Sequence, residues 1–97
     1  MDITYLLQGV TFEWDAEKAR SNVEKHGITF EEAAEAFFDP FSLTGDASVQ
    51  GEDRDSLLGY SQSQRLLLVV HTDRLKRTRI ISARVATRAE RKLYEQS

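Results

Sequence analysis

The chain has 97 residues, a formal net charge of −3, 40% hydrophobic residues and no cysteine. This length suits a single domain over residues 1–97, and the lack of cysteine excludes disulfides, thiolate metal sites and cysteine nucleophiles. The longest apolar run, Leu66–Val70, is too short to cross a bilayer, and no signal peptide is visible, so we expect a cytoplasmic protein with no membrane partner.

Charge is distributed unevenly along the chain. Residues 1–53 carry 12 acidic and 3 basic side chains, whereas residues 54–97 carry 4 acidic and 10 basic ones. Such an asymmetry indicates either a surface that binds an anion or two halves that neutralise each other in the fold.

The first predicted elements are a strand and a helix. Residues 10–14 alternate apolar and polar side chains, which is typical of a strand with one buried face. Asp15 suits the N-cap of a helix over residues 16–25. The apolar stripe of this helix is expected at Ala16, Ala19 and Val23.

A second helix is expected immediately afterwards. Thr29 and Glu32 have the spacing of a capping box, in which each side chain bonds to the other residue's backbone. The apolar residues that follow recur at the spacing of a core-facing helix, and they are Phe30, Ala33, Ala34, Phe37 and Phe38.

The second half of the chain predicts strands and a final helix. The strands are expected at residues 55–60, 65–72 and 79–85, with a shorter one at 41–44. Thr87 and Glu90 form a second capping box, which opens a helix ending near residue 95. We therefore expect an α+β fold with two N-terminal helices on a mainly antiparallel sheet and a C-terminal helix.

The last predicted strand carries candidate anion-binding residues. Strict alternation places Arg79 on one face and Ser82 with Arg84 on the other. Arg84 is expected either to pair with an acid such as Glu13 or Glu35, or to grip a phosphate in a bidentate manner.

The final helix adds further positive charge. Arg88, Arg91 and Lys92 share one helix face, which is either a solvated surface or a track for a nucleic-acid backbone. Tyr94 lies four residues after Glu90, and its expected roles are a hydrogen bond to Glu90, packing, or stacking on a base.

The remaining candidates are two histidines and one arginine. His26, beside Lys25, is either a capping or core group or an acid–base catalyst, because histidine titrates nearest neutrality. His71, near the end of a central strand, is interpreted as structural. Arg54 is flanked by acids that either neutralise it or, together with Asp46, offer a metal site, although the spacing of these acids matches no calcium loop.

The sequence resembles the BrnT toxin family from Phe12 to Tyr94. The resemblance lies in FEWDAEKARSNVEKHGITFEEAAEAFFDP, EDRDSLLGYS, RLLLVVHT and RIISARVATRAERKLY, and residues 1–11 lie outside it. It implies a RelE-like fold and a metal-independent endoribonuclease that needs no cofactor and inhibits translation. It also implies a BrnA-type antitoxin that forms a complex with the toxin, expected as a heterotetramer, and supplies its only link to DNA.

The resemblance and the chemistry together suggest site roles. RNA is cleaved when its 2′-hydroxyl attacks the adjacent phosphorus, which requires proton transfer and positive charge. The expected catalytic residues are Lys25, His26, Arg54, Arg79, Arg84 and Tyr94. The expected RNA-binding residues are Ser82, Arg88, Arg91 and Lys92. The alternatives are a non-catalytic nucleic-acid-binding or protein-interaction module that uses the same basic face, and a metal-dependent nuclease.

Overall fold

The structure, a computed structural model, describes all residues from 1 to 97. The elements in chain order are β1 (Asp2–Leu7), β2 (Val10–Asp15), α1 (Ala16–His26), α2 (Phe30–Glu35), β3 (Leu43–Asp46), β4 (Asp55–Tyr60), β5 (Leu66–Arg74), β6 (Arg77–Val85) and α3 (Arg88–Glu95). A 3₁₀ turn over Ala36–Phe38 extends α2.

All six strands form one mixed sheet in the order β1-β2-β6-β5-β4-β3. Strand β2 runs parallel to β6, and the other neighbouring pairs are antiparallel. The expected α+β class and the mainly antiparallel sheet are therefore confirmed.

The chain opens with a β-hairpin, whose second strand, β2, was expected and whose first strand, β1, was not. In β1, the side chains of Ile3, Tyr5 and Leu7 are partly buried against the core. Gln8 and Gly9 both have positive φ, at 48° and 80°, as in the tight turns whose twist matches two antiparallel strands. The expectation of helices at the N-terminus was therefore wrong, because α1 and α2 follow this hairpin.

The core lies between the sheet and the α2 segment. Its largest fully buried side chains are Phe12, Phe30, Ile28, Leu67, Ile80 and Val69. Burying a large apolar side chain contributes about 1.5–3 kcal/mol, so these residues fix how α2 sits on the sheet. On the opposite face, Leu58 and Leu68 line a groove with Leu93 of α3.

Side-chain caps define α1 and α3 as expected. The Asp15 carboxylate accepts a hydrogen bond from the Lys18 amide at 3.0 Å, which confirms the predicted N-cap of α1. Thr87 and Glu90 make both hydrogen bonds of a capping box, which confirms the predicted start of α3.

The start of α2 is only half of the expected capping box. Thr29 accepts a hydrogen bond from the Glu32 amide at 3.1 Å. The Glu32 carboxylate instead accepts hydrogen bonds from Arg65, Ser61 and Ser63 in and beside the β4–β5 turn. These contacts, Arg65 foremost, lower the pKa of Glu32 to about 2 and tie α2 to the sheet.

Candidate functional site

One surface depression brings together cations from separate parts of the chain. It has a volume of about 280 Å³ and lies between α1, β6 and the loop before β4, and we term it the cationic cleft. Its lining residues are Lys18, Ser21, Asn22, Lys25, His26, Arg54, Ile81 and Ser82. No carboxylate is among them, so the cleft presents net positive charge to an incoming anion.

Helix α1 supplies five of these residues because of their spacing. Lys18, Ser21 and Lys25 are separated by three and four residues. Asn22 and His26 directly follow Ser21 and Lys25, and they are likewise four residues apart. Residues with these intervals share one face of a helix. Lys25 and His26 lie exposed in the last turn, where a ligand can reach them.

Asn22 attaches this helix face to the sheet. Its side-chain nitrogen donates to the carbonyls of Ile28 and Ala83 at 2.9 and 2.8 Å, and its oxygen accepts from the Ala83 amide at 3.1 Å. The Ala83 groups are free for this contact because β2 pairs with β6 only as far as Arg79. Asn22 therefore continues the sheet edge and sets the position of α1 on β6.

A β-bulge directs the β6 part of the cleft. Val70 pairs with Ser82, and His71 pairs with Ile80, so Ile81 is an extra residue in β6. A bulge of this kind re-aims the side chains around it. Ile81 and Ser82 consequently both border the cleft.

The same bulge changes which face each β6 arginine occupies. Ile80 and Ala83 are both buried in the core although they are three residues apart. Arg79 and Arg84 pair with Thr72 and Leu68 of β5, and these two β5 residues share a face because they are four positions apart. The expectation that Arg79 and Arg84 lie on opposite faces was therefore wrong.

Arg54 enters the cleft from the loop before β4. Its amide donates to Ser48 Oγ at 3.1 Å, and its carbonyl accepts from the Ala47 amide at 2.9 Å. Its guanidinium donates to the Glu52 carboxylate at 2.6 Å. The loop thus fixes the backbone of Arg54 and orients its head group.

A second depression adjoins the cleft and shares Lys18, Arg54 and Ile81 with it. This neighbouring pocket has a volume of about 350 Å³, and its other lining residues are Glu52, Asp53, Thr72 and Arg79.

Arg79 is already matched by acidic groups. It donates to Glu13 at 2.8 Å and to Asp2 at 3.1 Å, and these hydrogen bonds raise its pKa. Glu13, which is 7% exposed, also lies near Arg74 and Arg77. Arg79 thus compensates a buried carboxylate.

Arg84 lies outside the cleft and is engaged by α3. Its guanidinium makes two hydrogen bonds to the Glu90 carboxylate, at 2.8 and 2.9 Å. This bidentate pairing is the main cause that lowers the pKa of Glu90 to about 2. The prediction that Arg84 pairs with Glu13 or Glu35 was therefore wrong. The arginine pairs with Glu90 instead and holds α3 to the end of β6.

The other C-terminal candidates also lie apart from the cleft. Tyr94 donates to Asp39 at 2.6 Å, and burial together with this acid raises the tyrosine pKa to about 12. Arg91 donates to the Tyr60 hydroxyl at 3.1 Å. The two remaining basic residues of α3, Arg88 and Lys92, are exposed.

The structure thus brings Lys25, His26, Arg54 and Ser82 together and places Arg79 next to them. Lys18 was not singled out from the sequence, although its seven-residue interval to Lys25 marks the same helix face.

Two further findings concern metals and membranes. No group of three or more His, Asp or Glu side chains is arranged to hold a metal ion. None of the helices has the length and apolar character needed to span a membrane.

Comparisons with known proteins point to one family. The family described as "Ribonuclease toxin, BrnT, of type II toxin-antitoxin system" matches residues 14–90. Among solved structures, the chain is similar to the Brucella abortus ribonuclease toxin BrnT, with 21% identity and a TM-score of 0.53 over 77% of this chain and 94% of that one. At this identity the structural likeness establishes the fold alone. A search of curated proteins found no match.

Proposed function

The chain belongs to the BrnT family of ribonuclease toxins of type II toxin–antitoxin systems, and we propose that it cleaves RNA in the cationic cleft without a metal ion. One observation carries this assignment. Lys25, His26, Arg54 and Ser82 converge from three parts of the chain on a depression without a carboxylate. A polyanion is the substrate that such a surface attracts.

The side chains of the cleft match the requirements of RNA cleavage by internal attack. The 2′-hydroxyl must lose a proton, the leaving 5′-oxygen must gain one, and the phosphorane carries additional negative charge. In this proposal, Lys25 and Arg54 hold the phosphate and stabilise that charge. His26 transfers protons, and Ser82 donates a hydrogen bond to a phosphate oxygen.

The remaining candidates take other roles in this proposal. Arg79, Arg84 and Tyr94 stabilise the fold, because the acidic side chain that each binds is buried or partly buried. Glu52, the partner of Arg54, is exposed, so a phosphate can replace it on the Arg54 guanidinium. Arg88 and Lys92 are exposed on α3, and they are candidates for contact with the RNA backbone beyond the cleft.

Family membership also supports a proposal for the cellular role. We propose that the whole chain acts as one toxin domain with a RelE-like fold, and that it inhibits translation in the cytoplasm by cutting RNA. A BrnA-type antitoxin neutralises it in a heterotetramer and provides the link to DNA. Charge complementarity predicts that the antitoxin presents acidic groups to the cleft.

Expression in bacteria without an antitoxin tests this function. We expect growth arrest with RNA degradation, and we expect Lys25→Ala and Arg54→Ala to relieve both. Arg20→Ala is the matched control, because Arg20 is an exposed cation of α1 that does not line the cleft. Normal growth with soluble wild-type protein would overturn the proposal, and RNA binding without cleavage would favour the non-catalytic module.

A further inference from the structure

The neighbouring pocket differs in charge from the cationic cleft. The cleft contains no carboxylate, whereas the pocket contains Glu52 and Asp53. Two of the pocket's three cations already have acidic partners, since Arg54 bonds to Glu52 and Arg79 bonds to acids of β1 and β2. The electrostatic attraction of a phosphate is therefore stronger in the cleft than in the pocket, and the pocket is better suited to a neutral polar group.

We propose that the neighbouring pocket binds a nucleobase next to the phosphate held in the cleft, and that it selects guanine. This inference rests on the proposed ribonuclease function and adds a specificity site to it. The two depressions share Lys18, Arg54 and Ile81, so a single nucleotide can place its phosphate in one and its base in the other.

Ile81 and Arg54 line both depressions and can contact the face of a flat ring. Ile81 supplies an apolar side chain, which the bulge in β6 directs towards both depressions. The guanidinium of Arg54 is planar and held by Glu52, and bases stack on such planes in RNA-binding proteins. The volume of about 350 Å³ accommodates one base.

Guanine is favoured by the free carboxylate of the pocket. Asp53 is exposed, and its side chain makes no hydrogen bond or ion pair, unlike that of Glu52. A carboxylate can accept two adjacent hydrogen bonds, and guanine presents two adjacent donors, N1–H and N2–H₂, on its Watson–Crick edge. Adenine and cytosine present one donor beside an acceptor, and uracil presents one donor between two acceptors.

Thr72 can complete the recognition of guanine. Its hydroxyl has only a 3.4 Å contact with the carbonyl of Asp73, so it is free to donate to guanine O6. The Thr72 hydroxyl does not compensate for a different base, because adenine, cytosine and uracil still lack the second donor that the Asp53 carboxylate accepts from guanine.

Binding of dinucleotides tests this inference without requiring cleavage. The probes are the sixteen dinucleoside monophosphates whose first 2′-hydroxyl is methylated, so that internal attack cannot occur. Their affinities are measured by calorimetry for the wild-type chain, for Asp53→Asn and for Glu24→Gln. Glu24 is an exposed acid of α1 that lines neither depression, and its substitution controls for the loss of one negative charge.

We expect guanine at one fixed position to improve affinity by at least about fivefold, the lower limit for one good bidentate contact. Asp53→Asn should abolish this preference, and Glu24→Gln should retain it. Equal affinity for all sixteen probes, or a guanine preference that survives Asp53→Asn, would overturn the inference. Cleavage of unmodified RNA without base preference refutes only this inference, whereas guanine-selective binding without cleavage refutes only the proposed function.

Discussion

Substitution of Asn22 tests how α1 is held on the sheet. This side chain is 5% exposed and bonds to three backbone groups, namely the amide and carbonyl of Ala83 and the carbonyl of Ile28. Asn22→Ala removes all three bonds and leaves these groups unpaired beside a small void. Asn22→Asp keeps the acceptor but places carboxylate oxygen against two carbonyl oxygens.

The expected cost follows from these three contacts. Each hydrogen bond contributes about 1 kcal/mol net, and a group left buried and unpaired costs about 1–3 kcal/mol. We therefore expect Asn22→Ala to lower the free energy of unfolding by about 3 kcal/mol, a large part of the roughly 5–15 kcal/mol of a typical domain. Asn22→Asp should cost at least as much.

Urea denaturation followed by circular dichroism measures this change. With a slope of about 1–1.5 kcal/mol per molar urea, the midpoint should fall by about 2–3 M. Val23→Ala is the control, because Val23 lies next to Asn22 on the same helix but is 43% exposed. A loss below about 1 kcal/mol, or equal losses for Asn22→Ala and Val23→Ala, would refute the anchoring argument.

Three further predictions concern stability and acid–base behaviour. The Glu32 carboxylate, whose pKa Arg65 lowers from 4.5 to about 2, stabilises the fold above pH 4.5 and loses that effect as the pH falls through 2. Glu32→Gln should therefore cost roughly 2 kcal/mol at pH 7 and little at pH 2, and equal costs in urea denaturation at both pH values would contradict this. Burial lowers the pKa of His71 below 6.5, so only the unfolded chain readily takes up that proton, and stability falls below pH 6.5. His71→Leu, which also removes two unpaired ring nitrogens, should reduce this dependence between pH 7 and 5, and an unchanged slope would count against it. Tyr94→Phe removes the hydrogen bond to Asp39 and should cost about 1–2 kcal/mol in thermal unfolding while RNA cleavage persists, whereas a folded but inactive variant would assign Tyr94 to catalysis.

Local sequence patterns predicted much of the fold. The caps at Asp15 and Thr87 follow from short-range hydrogen bonds, which involve only residues close in sequence. The β1–β2 hairpin could have been predicted from the alternation of Ile3, Tyr5 and Leu7 before Gly9. Residues 10–14 were predicted as a strand, and the same local pattern extends to β1 and the turn before Val10.

Other parts of the site depend on contacts between distant residues. The apolar stripe predicted for α1 included Val23, but the buried residue is Asn22, because the free edge of β6 offers hydrogen bonds to an amide. The bulge at Ile81 is a property of the pairing between β5 and β6. Strict alternation therefore assigned Arg79 and Arg84 to opposite faces.

The most direct test of the account is RNA cleavage by purified protein in excess chelator. Wild-type chain, Lys25→Ala, Arg54→Ala and the control Arg20→Ala are compared at equal concentrations, with folding verified by circular dichroism. We predict that the wild type and Arg20→Ala cleave at similar rates, and that each cleft variant is slower by about 100-fold or more. Cleavage by Lys25→Ala and Arg54→Ala at the wild-type rate would contradict the assignment of the cationic cleft as the catalytic centre.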